Sequence, residues 1–180
     1  TLAGLLCWGD NDYGQLGDGT TTDRSTPTPV SGLSSGVVAV QAGIYHTCAL
    51  LDGGAVKCWG SNTYGSLGDG SNTHRSLPVD VVGLASGVET IFMEANISCA
   101  LRAGGEALCW GANADYQLGD GSLDPRTTPV QVRGLQANTH MLTAGATHTC
   151  ALAGDGRAKC WGSNRYGQLG DGRYLLSPVP

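Results

Sequence analysis

The tripeptide Cys-Trp-Gly begins at Cys7, Cys58, Cys109 and Cys160, each time 51 residues after the last. Cys48, Cys99 and Cys150 keep that interval, as do Pro27, Pro78, Pro129 and Pro180. Leu-Gly-Asp-Gly returns in register at Leu16, Leu67, Leu118 and Leu169. No insertion or deletion breaks the phase. The 180 residues therefore divide into three full units, 1–51, 52–102 and 103–153, and an incomplete fourth, 154–180. A strict period of this length demands that each unit be one supersecondary element stacked on its neighbours.

Within a unit the signals are strands and turns. Val37-Val38-Ala39-Val40-Gln41-Ala42 is a β-branched run ended by Gly43, and His46-Thr47-Cys48-Ala49-Leu50-Leu51 follows. Asp52-Gly53-Gly54 and Ala55-Val56-Lys57-Cys58-Trp59 then complete a hairpin with a short glycine-containing loop. A long polar connection runs from Gly60 to Leu77, and Pro78-Val79-Asp80-Val81-Val82 reads as an edge strand led by its proline. No segment holds a 3.6-residue apolar period, so helix is not expected. Four short strands per unit is the pattern of a propeller blade. The expected fold is all-β, a β-propeller of four-stranded antiparallel blades occupying the whole chain.

Composition excludes several functions. Only 14% of residues are charged while 41% are hydrophobic, which opposes disorder. The net charge is -5 and the 10 Lys and Arg residues are scattered, whereas nucleic-acid binders concentrate basic side chains to displace counterions. No nucleic-acid partner is expected. No apolar run approaches the ~20 residues of a membrane-spanning helix, so no membrane insertion is expected.

Gly43-Ile44-Tyr45-His46-Thr47-Cys48-Ala49-Leu50, followed by Cys58-Trp59-Gly60-Ser61-Asn62-Thr63-Tyr64-Gly65-Ser66-Leu67-Gly68-Asp69-Gly70, resembles the regulator of chromosome condensation repeat. Gln15, Gln117 and Gln168 match that family's glutamine before Leu-Gly, and Ser66 departs from it. The resemblance implies a seven-bladed propeller, of which this chain holds about three and a half blades. Functions in the family range from nucleotide exchange on the Ran GTPase to β-lactamase inhibition by a secreted bacterial propeller, so fold does not dictate activity.

The cysteines separate into three pairs and an orphan. If Asp52-Gly53-Gly54 is the hairpin loop, residues 51 and 55 face each other, and so do Cys48 and Cys58. Cross-strand neighbours lie within disulfide reach. The same arithmetic pairs Cys99 with Cys109 and Cys150 with Cys160, leaving Cys7 unpaired. Buried free thiols are the plain alternative. A zinc site from His46, Cys48 and Cys58 fits poorly, because the hairpin that carries Cys99 and Cys109 has Ile97 at the histidine position yet keeps both cysteines. Oxidised pairs imply an extracellular or cell-surface location, and the resemblance to the secreted propeller implies a bacterial one.

Catalytic constellations are weak. His46 and His148 recur in phase and read as structural residues, which the resemblance implies bond backbone at the blade junction, while His74 and His140 read as ordinary surface or strand residues. The recurring Asp-Gly pairs are turn chemistry, and the calcium loop begun by Asp10-Asn11-Asp12 lacks its bidentate Glu. Neither a metal nor a cofactor is expected. The four Trp residues all sit in the repeated tripeptide and read as packing against the adjacent blade. Glu94 and Asp115 are the only polar departures from the repeat that could suggest an enzyme.

Variation points elsewhere. The residues after the tripeptide change from unit to unit, which makes Asp10, Asp12, Tyr13, Thr63, Tyr64, Asp115, Tyr116, Arg165 and Tyr166 the candidate binding loops. The pattern also breaks at Met93-Glu94-Ala95-Asn96 and at Tyr116, which stands where other units have Gly14, Gly65 and Gly167. The expected function is a non-enzymatic interaction module that presents repeated loops to a protein partner. A structural or adhesive segment of a larger extracellular protein is the alternative. Because an open arc leaves two blade faces bare, self-association through the open propeller ends is expected as well.

Overall fold

The computed structural model describes residues 4–135 and 138–180. Thirteen strands form four antiparallel sheets, with no helix among the described residues. The first sheet is β1 (Leu6–Gly9) paired with β2 (Arg24–Pro29). The second runs in chain order through β3 (Val37–Ala42), β4 (His46–Leu51), β5 (Val56–Gly60) and β6 (Arg75–Asp80). The third repeats it with β7 (Val88–Glu94), β8 (Ile97–Arg102), β9 (Ala107–Gly111) and β10 (Arg126–Gln131). The fourth has β11 (Thr139–Ala144), β12 (His148–Ala153) and β13 (Ala158–Gly162), plus a lone bridge from Gly162 to Ser177. These sheets are propeller blades, and the arc they form is a partial propeller.

The hairpin register follows the loop. Cys48 lies opposite Cys58, Cys99 opposite Cys109, and Cys150 opposite Cys160. Each pair is at disulfide distance with Cα atoms 4.1 Å apart, and Cys7 is free.

The outer strand differs from expectation. β6 starts at Arg75 and ends at Asp80, so Pro78 lies inside it and Val81-Val82 lie beyond it. The register shifts between Cys58↔Val79 and Gly60↔Arg75, and Pro78 falls within that bulge. Pro27 and Pro129 occupy the same irregular stretch of β2 and β10. A residue without an N–H is tolerated at an edge bulge, where the ladder is already interrupted.

The core lies between blades. One apolar cluster joins Val30 and Leu33 of the first sheet's connections to Ala49 and Trp59 of the second. Another sets Leu50, Val56, Leu67 and the Cys48–Cys58 pair against Ile91 and Trp110. A third sets Leu101, Leu118 and Cys99 against Leu142 and Trp161. β4 and β8 are buried on both faces because a blade covers each side, which is why their sequences run apolar without alternation.

Candidate protein-interaction face

His46 lies opposite Gly60 in the register, so the turn before β4 and the loop after β5 leave the sheet at the same end. Ile97 with Gly111 and His148 with Gly162 repeat the arrangement. All the candidate loops therefore emerge at one end of the arc.

Each loop is built around a buried asparagine. Asn62 Nδ2 donates to Asp69 Oδ1 at 3.1 Å and to the Ser71 and Thr73 carbonyls at 2.9 and 3.2 Å. Its Oδ1 accepts the Leu67 N–H at 3.0 Å. Asn11 and Asn113 hold their loops in the same way, and Asn164 repeats the bonds to Asp171 and Leu169. The aspartate of each Asp-Gly pair does more than turn the chain. The side chains of Asp18, Asp69 and Asp120 are largely covered and form ion pairs with Arg24, Arg75 and Arg126 at 2.8, 2.9 and 2.6 Å. Burial works to raise their pKa values, but the Thr20 or Ser hydroxyl and backbone bonds and the guanidinium outweigh it. Asp18 is held down to about 2, and Asp69 and Asp120 are lowered for the same reasons. With both oxygens taken by the loop's own donors, these carboxylates have little left to offer a metal ion. The in-phase Arg24, Arg75 and Arg126 are the sequence signal for this frame.

A second set of bonds ties each loop to the next blade. The Gln15 carbonyl accepts from Trp59 Nε1 at 2.8 Å and Thr47 Oγ1 at 2.9 Å. Ser66 serves Trp110 and Ser98, and Gln117 serves Trp161 and Thr149, in the same manner. Since only the backbone carbonyl is needed, Ser66 substitutes for glutamine without loss of this latch. His46 crosses the same junction, but to a side chain and not to backbone: its Nε2 lies 2.9 Å from Ser98 Oγ. Ser98 Oγ already donates to the Ser66 carbonyl, so His46 Nε2 is the donor and Nδ1 is left without a partner. Burial lowers the His46 pKa to about 4, which keeps the ring neutral.

On this frame stand the variable residues. Tyr13 packs on Tyr45 with ring centroids 5.1 Å apart and edge-on against His74 at 5.2 Å. His74, read from sequence as an ordinary surface residue, also accepts the Asn62 N–H through Nδ1 at 2.8 Å, as Asp23 does for Asn11. Tyr45 belongs to the turn before β4, which sequence reasoning had not included. Asp10 accepts bonds from the Asp12 N–H and the Gln15 amide, while Asp12, Thr63 and Tyr64 are exposed. Across the third and fourth blades Arg165 lies 3.8 Å from Asp115. Tyr166 projects almost fully into solvent.

The third blade is distinctive in its backbone. Tyr116 adopts φ 63° where Gly14, Gly65 and Gly167 have 80°, 80° and 77°. Glu94 pairs with Ile97, which leaves a two-residue turn at Ala95-Asn96 with Ala95 at φ 46°. Both are left-handed conformations that side chains resist.

Comparison with known proteins bears on these features. The profile of the Regulator of chromosome condensation (RCC1) repeat matches residues 4–50, 53–101 and 104–152. The Ultraviolet-B receptor UVR8 of Arabidopsis thaliana is 34% identical over 182 residues, covering 96% of this chain and 40% of the receptor. The crystal structure of human WBSCR16 superposes with a TM-score of 0.84 at 26% identity, over 99% of this chain and 46% of that one. Yeast RCC1 (Prp20), solved bound to Kap60, gives 0.83 at 21% identity over 98% of this chain and 44% of that chain, a likeness of fold alone. The chain thus spans less than half the length of these relatives.

Proposed function

The chain belongs to the RCC1 repeat family, and from that premise we propose that it is a non-enzymatic protein-interaction module whose partner docks on the loop end of the arc. One observation carries this reading: the residues that vary between units are gathered at one end, on loops made rigid by the repeated Asn–Asp–Arg frame. Rigid loops bearing exposed tyrosines suit protein recognition, since a large ring adds contact area at low entropic cost. Tyr13, Tyr45 and Tyr64 are the anchors, and the Asp115–Arg165 pair forms a polar rim. The disulfide-distance cysteines support an extracellular or cell-surface setting.

The test is capture of partners by the immobilised chain, followed by cross-linking to locate the contact. Replacement of Tyr13 and Tyr45 by Ala should abolish capture, while Asp52→Asn in the turn at the other end should leave it intact. Equal capture by both variants would instead favour the structural or adhesive role that the disulfides alone could serve.

Self-association is part of the same reading. Trp8 and Leu152 are bare at opposite ends of the arc, although their counterparts are core residues. Head-to-tail contact would cover both. Sedimentation at micromolar concentration should show a dimer that Trp8→Ser weakens, and a monomer throughout would refute it.

A further inference from the structure

Resting on the reading of the loop end as a protein interface, we propose that its aromatic patch between the first and second blades docks an arginine-bearing segment of the partner polypeptide. Two independent observations point to that chemistry: a set of rings found at one junction only, and the placement of the molecule's negative charge.

Tyr13, from the first blade's loop, meets Tyr45 and His74 of the second blade. The scaffold does not require these rings. In the following units Asn96 and Thr147 stand in place of Tyr45, and Pro125 in place of His74. The frame of Asn113, Asp120 and Arg126 persists there without them. Nor is the patch an uncovered packing face. Trp59 of the same junction is 0% exposed, so the two blades are closed on each other, yet Tyr13 and Tyr45 remain 37% and 43% exposed. Their mutual contact already holds the rings in place, which leaves little side-chain freedom to lose on binding.

Charge is divided unevenly between the two ends of the blades. Five carboxylates and five basic side chains stand at the turn end, on residues 52–57, 80–89, 102–106, 133 and 155–159. The other ten carboxylates and five arginines stand at the loop end, which therefore carries the whole net charge of -5. The first two blades have no arginine to spare there, because Arg24 and Arg75 are paired with Asp18 and Asp69. Among the described residues no cation pairs with Asp12 or Asp23, and both are exposed on the loop that carries Tyr13.

A guanidinium suits both features. Its flat face stacks on an aromatic ring, and its N–H groups pair with carboxylates in a planar fork that a lysine ammonium lacks. Anionic partners, nucleic acid included, are repelled from this end. The same field steers a basic segment towards the patch, most strongly at low salt.

The probe is a short synthetic peptide of alternating arginine and serine, titrated calorimetrically into the full chain at low salt. Saturable binding is expected, and lysine in place of arginine should weaken it about fivefold. Tyr13→Ala with Tyr45→Ala should weaken it about tenfold, whereas Tyr13→Phe with Tyr45→Phe, which keeps both rings, should not. Asp12→Asn with Asp23→Asn should weaken it about fivefold, an effect that high salt removes. That pair keeps a side-chain oxygen for the Asn11 N–H, so the loop stays built. Asp52→Asn at the turn end should change nothing. Absence of binding, equal affinity for the arginine and lysine peptides, or binding unaffected by the alanine pair or by the asparagine pair would overturn the proposal. Tyrosine-dependent capture of a partner that the arginine peptide fails to displace would overturn the basic segment while leaving the loop-end interface standing.

Discussion

Trp8 and Trp59 hold the same place in the same tripeptide, yet Trp8 is 60% exposed and Trp59 is 0% exposed. The difference is the blade in front of them. Trp59 inserts among Val30, Leu33 and Ala49 and donates to the Gln15 carbonyl of the preceding blade. No described residue stands in front of Trp8. At the far end Leu152 is 40% exposed while its counterparts Leu50 and Leu101 are 4% and 3% exposed. A repeat position therefore has no burial of its own; it acquires burial from a neighbour, as nearest-neighbour stacking requires.

The sharpest way to break this comparison is to delete the ring at both places. Trp59→Ala should cost about 3–5 kcal/mol in urea unfolding, through lost burial and a cavity. In the dilute monomer Trp8→Ala should change stability by less than about 0.5 kcal/mol, as surface substitutions do. Similar losses at both positions would show that the ends are covered in solution.

His46 tests the closed junction by pH. Its folded pKa of about 4 lies below the unfolded value of 6.5, because burial penalises the charged ring. The unfolded chain binds the proton more readily. Stability is thus full above about pH 6.5 and is lost as the pH falls towards 4, by roughly 3 kcal/mol in all. His46→Ile, which copies Ile97 of the next unit, should remove that part of the pH dependence. A variant with an unchanged profile would show that His46 is not the titrating group.

The cysteines compare a closed hairpin with an open one. Replacing Cys48 and Cys58 together by Ala should cost about 2–3 kcal/mol for so short a loop, whereas Cys7→Ser should leave the unfolding midpoint in place. Alkylation followed by mass measurement should find Cys7 alone reactive before reduction. Seven reactive thiols in protein from an oxidising compartment would defeat both the pairing and the extracellular setting.

The smallest effect separates the third blade from its neighbours. Tyr116→Gly and Ala95→Gly should each stabilise by about 0.5–1 kcal/mol, by restoring glycine to a left-handed position. Gly65→Ala should do the reverse and by more, since its Cβ would meet the Thr127 Cα at 2.6 Å. If Tyr116→Gly also weakens partner capture, the strained tyrosine is held for binding. If capture is unaffected, the third blade's departures lie outside the interface.

The interval of 51 residues set the number of blades, and the Asp52-Gly53-Gly54 loop set the register that places Cys48 opposite Cys58. These were legible because a hairpin is local: a turn of known length fixes which residues face each other, and the strand period fixes the side. The prolines announced edge strands for the same reason, though the bulge that carries Pro78 inside β6 was invisible without the partner strand. Contacts between units were not legible. His46 bonds to Ser98, 52 residues away, and Trp59 to the Gln15 carbonyl, 44 residues away. Nothing in their spacing says which of several equivalent groups will be nearest. Tyr13, Tyr45 and His74 come from three different connections and meet only because adjacent blades bring those connections to one end. The sequence by itself determined what each unit is. How buried, how charged and how accessible each copy becomes was decided by tertiary structure, because those properties depend on the blade next door.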